Sequence, residues 1–490
     1  MKKLLLSMIA VLMILLLCVS CGKTDGVGEE SNTPAITETN PTEPLATNPA
    51  KPSGTPSNVS LLNGVDLSKF SIVYAAGDID YNNRAAKYLQ SEIHTRTGIE
   101  LPLVEDDEEA KTEYEIIVGE TAREISDRLD ADTEKTQFAI LAEEKQIALE
   151  GDHFIIAAAA YFFIETYVPE DNFAAEIPKS VSIYEPIVNE AKNYIVLIGD
   201  GMGVCQTLLF DALDDSTDYS DKETQFYGYY LPYFGHARTN SLSGTTDSAA
   251  GGTALSCGRK TYNGYIGQDK DHREIMSITE LAASLGKATA VMSTDAPFGA
   301  TPATFSAHAN DRFESEKITS DQQALKQQYG TIVIGDLEYY RANGIRRIEH
   351  FIASTLDTLS EDKDGFFFMY EEAHIDKWSH KQDMVSTFAA VLRFNQAIAR
   401  FMEYAFYHPD TFVIITADHE TGGLHPDSSG GYAYTNGNHS SQDVPVFAYG
   451  NGGELFDGIT IENIQIPQTI ASFMGVTDFG DQTEYQYLTK

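Results

Sequence analysis

The stretch YIVLIGDGMG (194–203) is an unbroken apolar run that stops at Asp200, a carboxylate set between Gly199 and Gly201. The same figure recurs in ATAVMSTDAPFGATPA (288–303), FFFMYEEAHIDK (366–377) and TFVIITADHETGG (411–423), and VPVFAYG (444–450) is a further strand-like run. Near-continuous apolar strands separated by helical segments predict a mostly parallel central sheet with helices on both faces, an α/β fold. In such sheets ligands bind beyond the carboxyl ends of the strands, where each of these runs turns polar.

Working outward, residues 58–188 alternate strand-like and helix-like segments. Phe70–Ala75, Tyr114–Val118, Phe138–Leu141 and Ile147–Leu149 read as strands, and 81–97 and 153–167 as helices with apolar stripes. This predicts a small α/β accessory domain ahead of a catalytic domain over 190–490. KYLQSEIHTRTGIELP (87–102) and EYEIIVGET (113–121) loosely resemble the accessory domain of β-hexosaminidases and α-glucuronidases. The segment holds no convergent His, Cys or carboxylate cluster, so it reads as a spacer or docking module, with carbohydrate binding as the alternative.

The first residues read as an address. Met1-Lys2-Lys3 precedes an apolar run from Leu4 to Val19, short for a membrane span of ~20 residues and typical of an export signal. Leu17-Cys18-Val19-Ser20-Cys21-Gly22 resembles a bacterial lipoprotein box, with Cys18 where Leu is usual. Residues 1–21 are therefore expected to be a signal peptide with Cys21 as lipidation site; an uncleaved signal anchor is the alternative. Either places the protein outside the cytoplasm, lipid-anchored on the outer face of the bacterial cytoplasmic membrane in the first case. Residues 22–57 carry six of the 17 prolines among Thr, Asn, Ser and Glu, and read as a disordered tether.

The chain carries 34 Lys+Arg against 73 Asp+Glu, a net charge of −39, which excludes nucleic acid as a structural partner. It does not exclude phosphate, because bound cations never enter a count of Lys and Arg. The strand-end residues have the composition of a cation site. Asp376 and His380, spaced i, i+4, project from one helical face. Asp418 and His419 are adjacent at a strand end, His439 lies in a loop-like TNGNHS setting, and Glu371 and Thr301 offer oxygen to a harder cation. Ser248, in GTTDSAAGGTALSCG, sits where Asp247 or Ser248 starts a helix. No triad base is evident near it, but a metal can activate a serine that lacks one.

Five strings, NYIVLIGDGMG, TDSAAGGTALSCGRKTYNGYIG, ATPATFSAHANDR, EEAHIDKWSH and TADHETGG, resemble the alkaline phosphatase family in that family's order. The resemblance implies two zinc ions and one magnesium. One zinc would take Asp376, His380 and His439; the other Asp200, Asp418 and His419, with Ser248 as its reactive ligand. The magnesium would share Asp200 with Thr301 and Glu371. Arg312 matches the phosphate-binding arginine, and Lys377 the lysine of members that reach phosphate through water. The implied activity is hydrolysis of small phosphate monoesters through a phosphoserine intermediate.

The chain departs from the family pattern in three places. Gly299 stands where an acid or histidine commonly precedes the Thr ligand, which opens the magnesium shell and removes the usual partner of Lys377. Only 58 residues separate Arg312 from Glu371, which predicts an open site with broad substrate choice, and a homodimer is possible but not assumed. Glu372 replaces a usual glycine and reads as solvated surface charge, with extra cation binding as the alternative. Trp378 reads equally as a wall of the substrate entrance or as packing for its helix. Cys205 and Cys257 could pair outside the cytoplasm, and Tyr262-Asn263-Gly264 reads as packing behind the nucleophile helix. Competing functions are a phosphodiesterase of the same superfamily and a non-catalytic surface lipoprotein that binds phosphate or carbohydrate. A sulfatase is disfavoured because TTDSAAGG lacks the Cys/Ser-x-Pro-x-Arg pattern.

Overall fold

The structure, a computed structural model, describes residues 60–76, 81–106, 112–129, 136–169, 173–210, 225–336 and 346–480. The signal peptide with Cys21 and the tether lie outside them.

The first sheet is built from β1 (Phe70–Tyr74), β2 (Leu103–Glu105), β3 (Tyr114–Val118), β4 (Phe138–Ala142), β5 (Gln146–Glu150) and β6 (Ser182–Tyr184), in the order β2-β1-β3-β5-β4-β6. β1, β2, β3 and β5 run parallel, and β4 is antiparallel to both its neighbours. α1 (Tyr81–Thr97) and α2 (Ile156–Tyr167) pack on each other and on the sheet. α1 buries Tyr81, Ala85, Ala86, Leu89 and Ile93, a spacing that keeps one stripe inward at 3.6 residues per turn.

The second sheet has eight strands: β7 (Asn193–Gly199), β8 (Tyr233–Arg238), β9 (Ala288–Ser293), β10 (Ile332–Ile334), β11 (Phe366–Glu372), β12 (Thr411–Thr416), β13 (Val444–Tyr449) and β14 (Thr460–Glu462). Their order is β10-β9-β11-β7-β12-β13-β8-β14. The five strands from β10 to β12 are parallel, as their all-apolar runs predict, and β13 turns antiparallel to both β12 and β8. Every residue of β7, β11 and β12 is buried, because helices flank the sheet. Ile198 pairs with Glu371 on one side and Thr416 on the other, so the carboxyl ends of the three central strands are level. That register brings Asp200, Glu371 and Asp418 to one edge.

The long helix α6 (Met384–Tyr407) joins the two sheets' packing. Its inner face, including Ala390, Phe394, Ala397 and Phe401, lies in the core. Its far end meets the first module, where Tyr407 stacks on Tyr88 at 4.1 Å between ring centroids and Glu403 pairs with Arg84 at 2.7 Å. Phe406 stacks on Phe154, so the first sheet and its helices are seated on a helix whose other turns back the end of the second sheet.

Candidate metal and phosphoryl site

Asp200 leaves β7 into a turn that only a glycine at 201 permits. Gly201 has φ +71°, and a Cβ there would lie 2.8 Å from Asp376 Cα. This close approach brings α5 (His374–His380) against the end of β7. Beyond β12, Asp418 Oδ1 accepts the N–H groups of Gly201 (3.2 Å) and His419 (3.0 Å), which fixes the carboxylate and leaves Oδ2 facing inward. His419 Nε2 is 3.5 Å from Asp200 Oδ1 and 3.3 Å from Asp418 Oδ2.

Ser248 is the first residue of α3 (Ser248–Cys257). Asp247 caps that helix by accepting the Ala250 N–H at 3.0 Å, and Gly258 closes it at φ +66°. The cap points Ser248 Oγ at His419 Nε2, 3.2 Å away, so serine, imidazole and two carboxylates converge. No neighbour in sequence announces this histidine to Ser248; it comes from 171 residues along the chain.

A second group lies beside the first. Asp376 and His380 share one face of α5, and His380 Nε2 is 3.3 Å from Asp376 Oδ1. His439 Nε2 is 3.5 Å from the same oxygen and 3.1 Å from His380 Nε2. His439 is not in a loop: His439–Ser440 pairs antiparallel with Glu420–Thr421. Both imidazoles are oriented from behind, His380 Nδ1 on Gly437 O and His439 Nδ1 on Thr246 O, each at 2.8 Å, so that Nε2 faces the site. The His419 and His439 rings stack at 3.7 Å, which places His419 within ligand reach of Asp376 as well as of Asp200 and Asp418.

Glu371, at the end of β11, accepts a short hydrogen bond from Ser293 of β9, and Thr301 lies on the short helix Ala300–Thr304 that follows β9.

The donor set can be tested for fit. Asp200 Oδ1 and Asp418 Oδ2 are buried and make no hydrogen bond, a costly state for two carboxylate oxygens so close together unless a cation joins them. Burial, then the Asp418 and Asp376 charges, push the Asp200 carboxyl well above its usual range. Burial likewise lifts Asp418 to about 7 and Glu371 to about 8, and pushes His419 down to about 3. Asp376 goes the other way, because hydrogen bonds from His380 and His439 outweigh its burial. Carboxylate and imidazole donors aimed at common points, with buried lone pairs to spare, fit divalent cations.

Arg312 Nη1 lies 3.2 Å from Oδ2 of Asp247, next to Ser248 in the chain, and that oxygen also accepts the Gly264 N–H at 3.0 Å. Asn263 bonds Ser241 and Thr245, so the Tyr262-Asn263-Gly264 turn braces Asp247, while the Tyr262 ring itself is exposed. Lys377, at the rim, pairs with Asp295 at 2.7 Å. Trp378 packs half-buried against the core, and the Lys381 ammonium lies 4.1 Å from its ring centroid. Cys205 and Cys257 are free thiols, not a bridge.

The solvated reading of Glu372 is corrected by the structure. Glu372 is fully buried and bonds Arg393 Nη2 at 2.7 Å and Nε at 3.2 Å, with His374 also in contact. Against its burial, Arg393 holds the carboxyl down to about 2. The strand exit at Glu371 needs a fixed end, and Arg393 of α6 supplies it.

Sequence reasoning also passed over Thr421, whose hydroxyl donates to Asp376 Oδ1 at 2.5 Å and contacts His419 Nδ1 at 3.3 Å, linking the two groups. Glu420 accepts from Gln206, Gly423, Leu424 and Ser440 and so ties down the His439 strand. Both stand inside TADHETGG, and membership of that string was their only signal.

The alkaline phosphatase family model matches residues 191–345 and 347–436, half of the chain. The chain belongs to the alkaline phosphatase family. Among its relatives in that family is "Alkaline phosphatase 3" of Bacillus subtilis, 30% identical over 50% of this chain and 64% of that protein. Another is "Alkaline phosphatase 4" of the same species, 29% identical over 48% of this chain and 62% of its own length. The chain therefore spans less than two thirds of the length of these relatives. In three dimensions the alkaline phosphatase from the Antarctic bacterium TAB5 is 28% identical, covering 59% of this chain and 99% of its own, at a TM-score of 0.50. A cold-active alkaline phosphatase from Shewanella sp., 24% identical, shares the fold at a TM-score of 0.52 over 58% of this chain.

Proposed function

We propose that this alkaline phosphatase family member hydrolyses small phosphate monoesters through a phosphoserine on Ser248. What carries the reading is the convergence of Ser248 Oγ with His419 Nε2, Asp200 and Asp418, two of whose carboxylate oxygens have no other partner.

Asp200, Asp418 and His419 would hold one zinc; Asp376, His380 and His439 the other; and Asp200, Thr301 and Glu371 a magnesium. Divalent cations there would supply the positive charge that offsets a phosphate dianion and stabilises oxyanions on either side of phosphorus. Ser248 Oγ provides the attacking oxygen, at a helix N-terminus whose free N–H groups face the incoming anion. Arg312, fixed by Asp247, binds two non-bridging oxygens with its planar fork. The new Oγ–phosphorus bond forms as the ester bond breaks and the alcohol leaves. Water then attacks the phosphoserine, restoring the serine hydroxyl and releasing phosphate.

The test is hydrolysis of p-nitrophenyl phosphate against its bis-ester. The monoester is expected to be preferred, and a diester preference above about tenfold would instead make the protein a phosphodiesterase. Phosphate binding with no turnover in zinc and magnesium would make it a binding lipoprotein. Metal analysis is expected to return two zinc and one magnesium per chain.

Metal binding should depend on pH. Asp418 and Glu371 hold protons below about 7 and about 8, and ligation must expel them. Zinc affinity is therefore expected to rise through about pH 7, where Asp418 gives up its proton, and magnesium affinity through about pH 8, where Glu371 does. Calorimetry in buffers of different ionisation enthalpy reads the released protons directly, and a pH-independent affinity with no release would contradict the assignment.

We read residues 1–21 as an export signal with Cys21 as its lipidation site and 22–57 as a tether, which would put this chemistry outside the cytoplasm at a membrane surface. Among the described residues no helix is long and apolar enough to cross a membrane. We read the 58–188 segment as an accessory domain that spaces or docks the catalytic one.

A further inference from the structure

Lys377 is one residue past Asp376 on α5, and its ion-pair partner at the rim comes from a different strand end. Asp295 follows β9 and pairs with Lys377 Nζ at 2.7 Å, with the two side chains 36% and 41% exposed. Asp295 is held on both sides. Its N–H donates to Ser293 Oγ at 3.0 Å, the same hydroxyl that bonds Glu371, and its C=O accepts the Asp336 N–H at 2.6 Å. The carboxylate also lies close enough to Glu371 for its charge to contribute to raising that carboxyl.

Position 299 is the second observation. A Cβ built on Gly299 would sit 3.5 Å from Asp295 Oδ2, so a side chain at 299 would grow into the space this carboxylate occupies. Gly299 has φ −54° and ψ 156°, which any residue adopts, so the backbone does not demand glycine there. An acid at 299 would meet the Ala296 carbonyl oxygen, 3.0 Å from that Cβ, as well as the Asp295 carboxylate.

We propose that Asp295 is the positioning residue of Lys377: it occupies the space left by Gly299 and holds the ammonium back from the phosphoryl oxygens. The pair keeps one positive charge of the rim neutralised, so product phosphate is bound less tightly than Arg312 and a free Lys377 together would bind it. This inference rests on the reading of the site as a phosphoryl site.

The experiment uses the full-length protein purified with its metals and measures inorganic phosphate by competitive inhibition and by calorimetry. Asp295→Asn keeps the shape and removes the charge, and is expected to tighten phosphate binding about threefold or more. The shift should vanish in a Lys377→Met background, because the effect passes through that lysine. It should also be reversed in Asp295→Asn/Gly299→Asp, where the acid returns from the neighbouring position. Unchanged or weakened phosphate binding in Asp295→Asn, or the same tightening without Lys377, overturns the proposal. A wild-type protein that binds no phosphate overturns instead the reading of the site on which it rests.

Discussion

Ser248→Ala is expected to lose phosphomonoesterase turnover by about 10³-fold or more while its bound metal survives. The size follows from the role, since Ser248 Oγ is the hydroxyl set against the His419 Nε2 that Asp200 and Asp418 also approach. The survival of metal follows from the donor count, because both carboxylates and the imidazole remain. The substitution should also leave folding intact. Asp247, not Ser248, supplies the cap of α3, and alanine is at least as good as serine inside a helix. Turnover of p-nitrophenyl phosphate and elemental analysis of the same preparation check both halves. Wild-type-like turnover would sink the nucleophile assignment, and loss of zinc would mean that the serine is a structural ligand first.

The second large effect is on stability. Glu372→Ala is expected to cost about 3–5 kcal/mol, because it strands the Arg393 guanidinium in a site only 6% exposed. The pair makes two hydrogen bonds across 21 residues of chain, from the end of β11 to α6. Urea unfolding of the variant reads the loss, and a midpoint within about 0.5 kcal/mol of wild type would show that the pair is dispensable. Replacing both partners together by apolar residues of similar volume should recover much of it. The pH dependence has a definite sign. Glu372 falls from an ordinary 4.5 to about 2 in the folded protein, so its stabilising contribution is complete above about pH 4.5. It is lost as pH falls toward about 2, and Glu372→Gln should lack that acid-side loss.

Much of the architecture could be read from local pattern. YIVLIG, FFFMY and TFVIIT are strands buried on both faces, and such strands need no alternation, so their continuous apolar runs announce a parallel sheet. The i, i+4 spacing of Asp376 and His380 needs only a helix to become a shared face, and α5 is that helix. The start of α3 at Ser248 was legible because Asp caps and small residues follow. What failed was any judgement of environment. Glu372 sits in a hydrophilic pair with Glu371 and read as surface, but burial is settled by Arg393 and by Thr294, 78 residues away in the chain. His439 read as a loop because a two-residue strand leaves no periodic signal; only its pairing with Glu420–Thr421 makes it one.

By itself the sequence determined the inventory: which carboxylates, imidazoles and hydroxyls stand at strand ends, and hence what kind of ion they suit. Chain-local rules sufficed because strand, helix start and helical face each depend on a few neighbouring residues. The tertiary structure decided the partnerships. Ser248 faces His419, Thr421 links two ligand groups, Asp295 holds Lys377 beside Gly299, and Arg393 neutralises Glu372. Each is a contact of a few ångströms between distant segments, set by the level register of β7, β11 and β12 and by the close approach that Gly201 allows. No local pattern encodes such distances, because they exist only once the sheet has closed around its core.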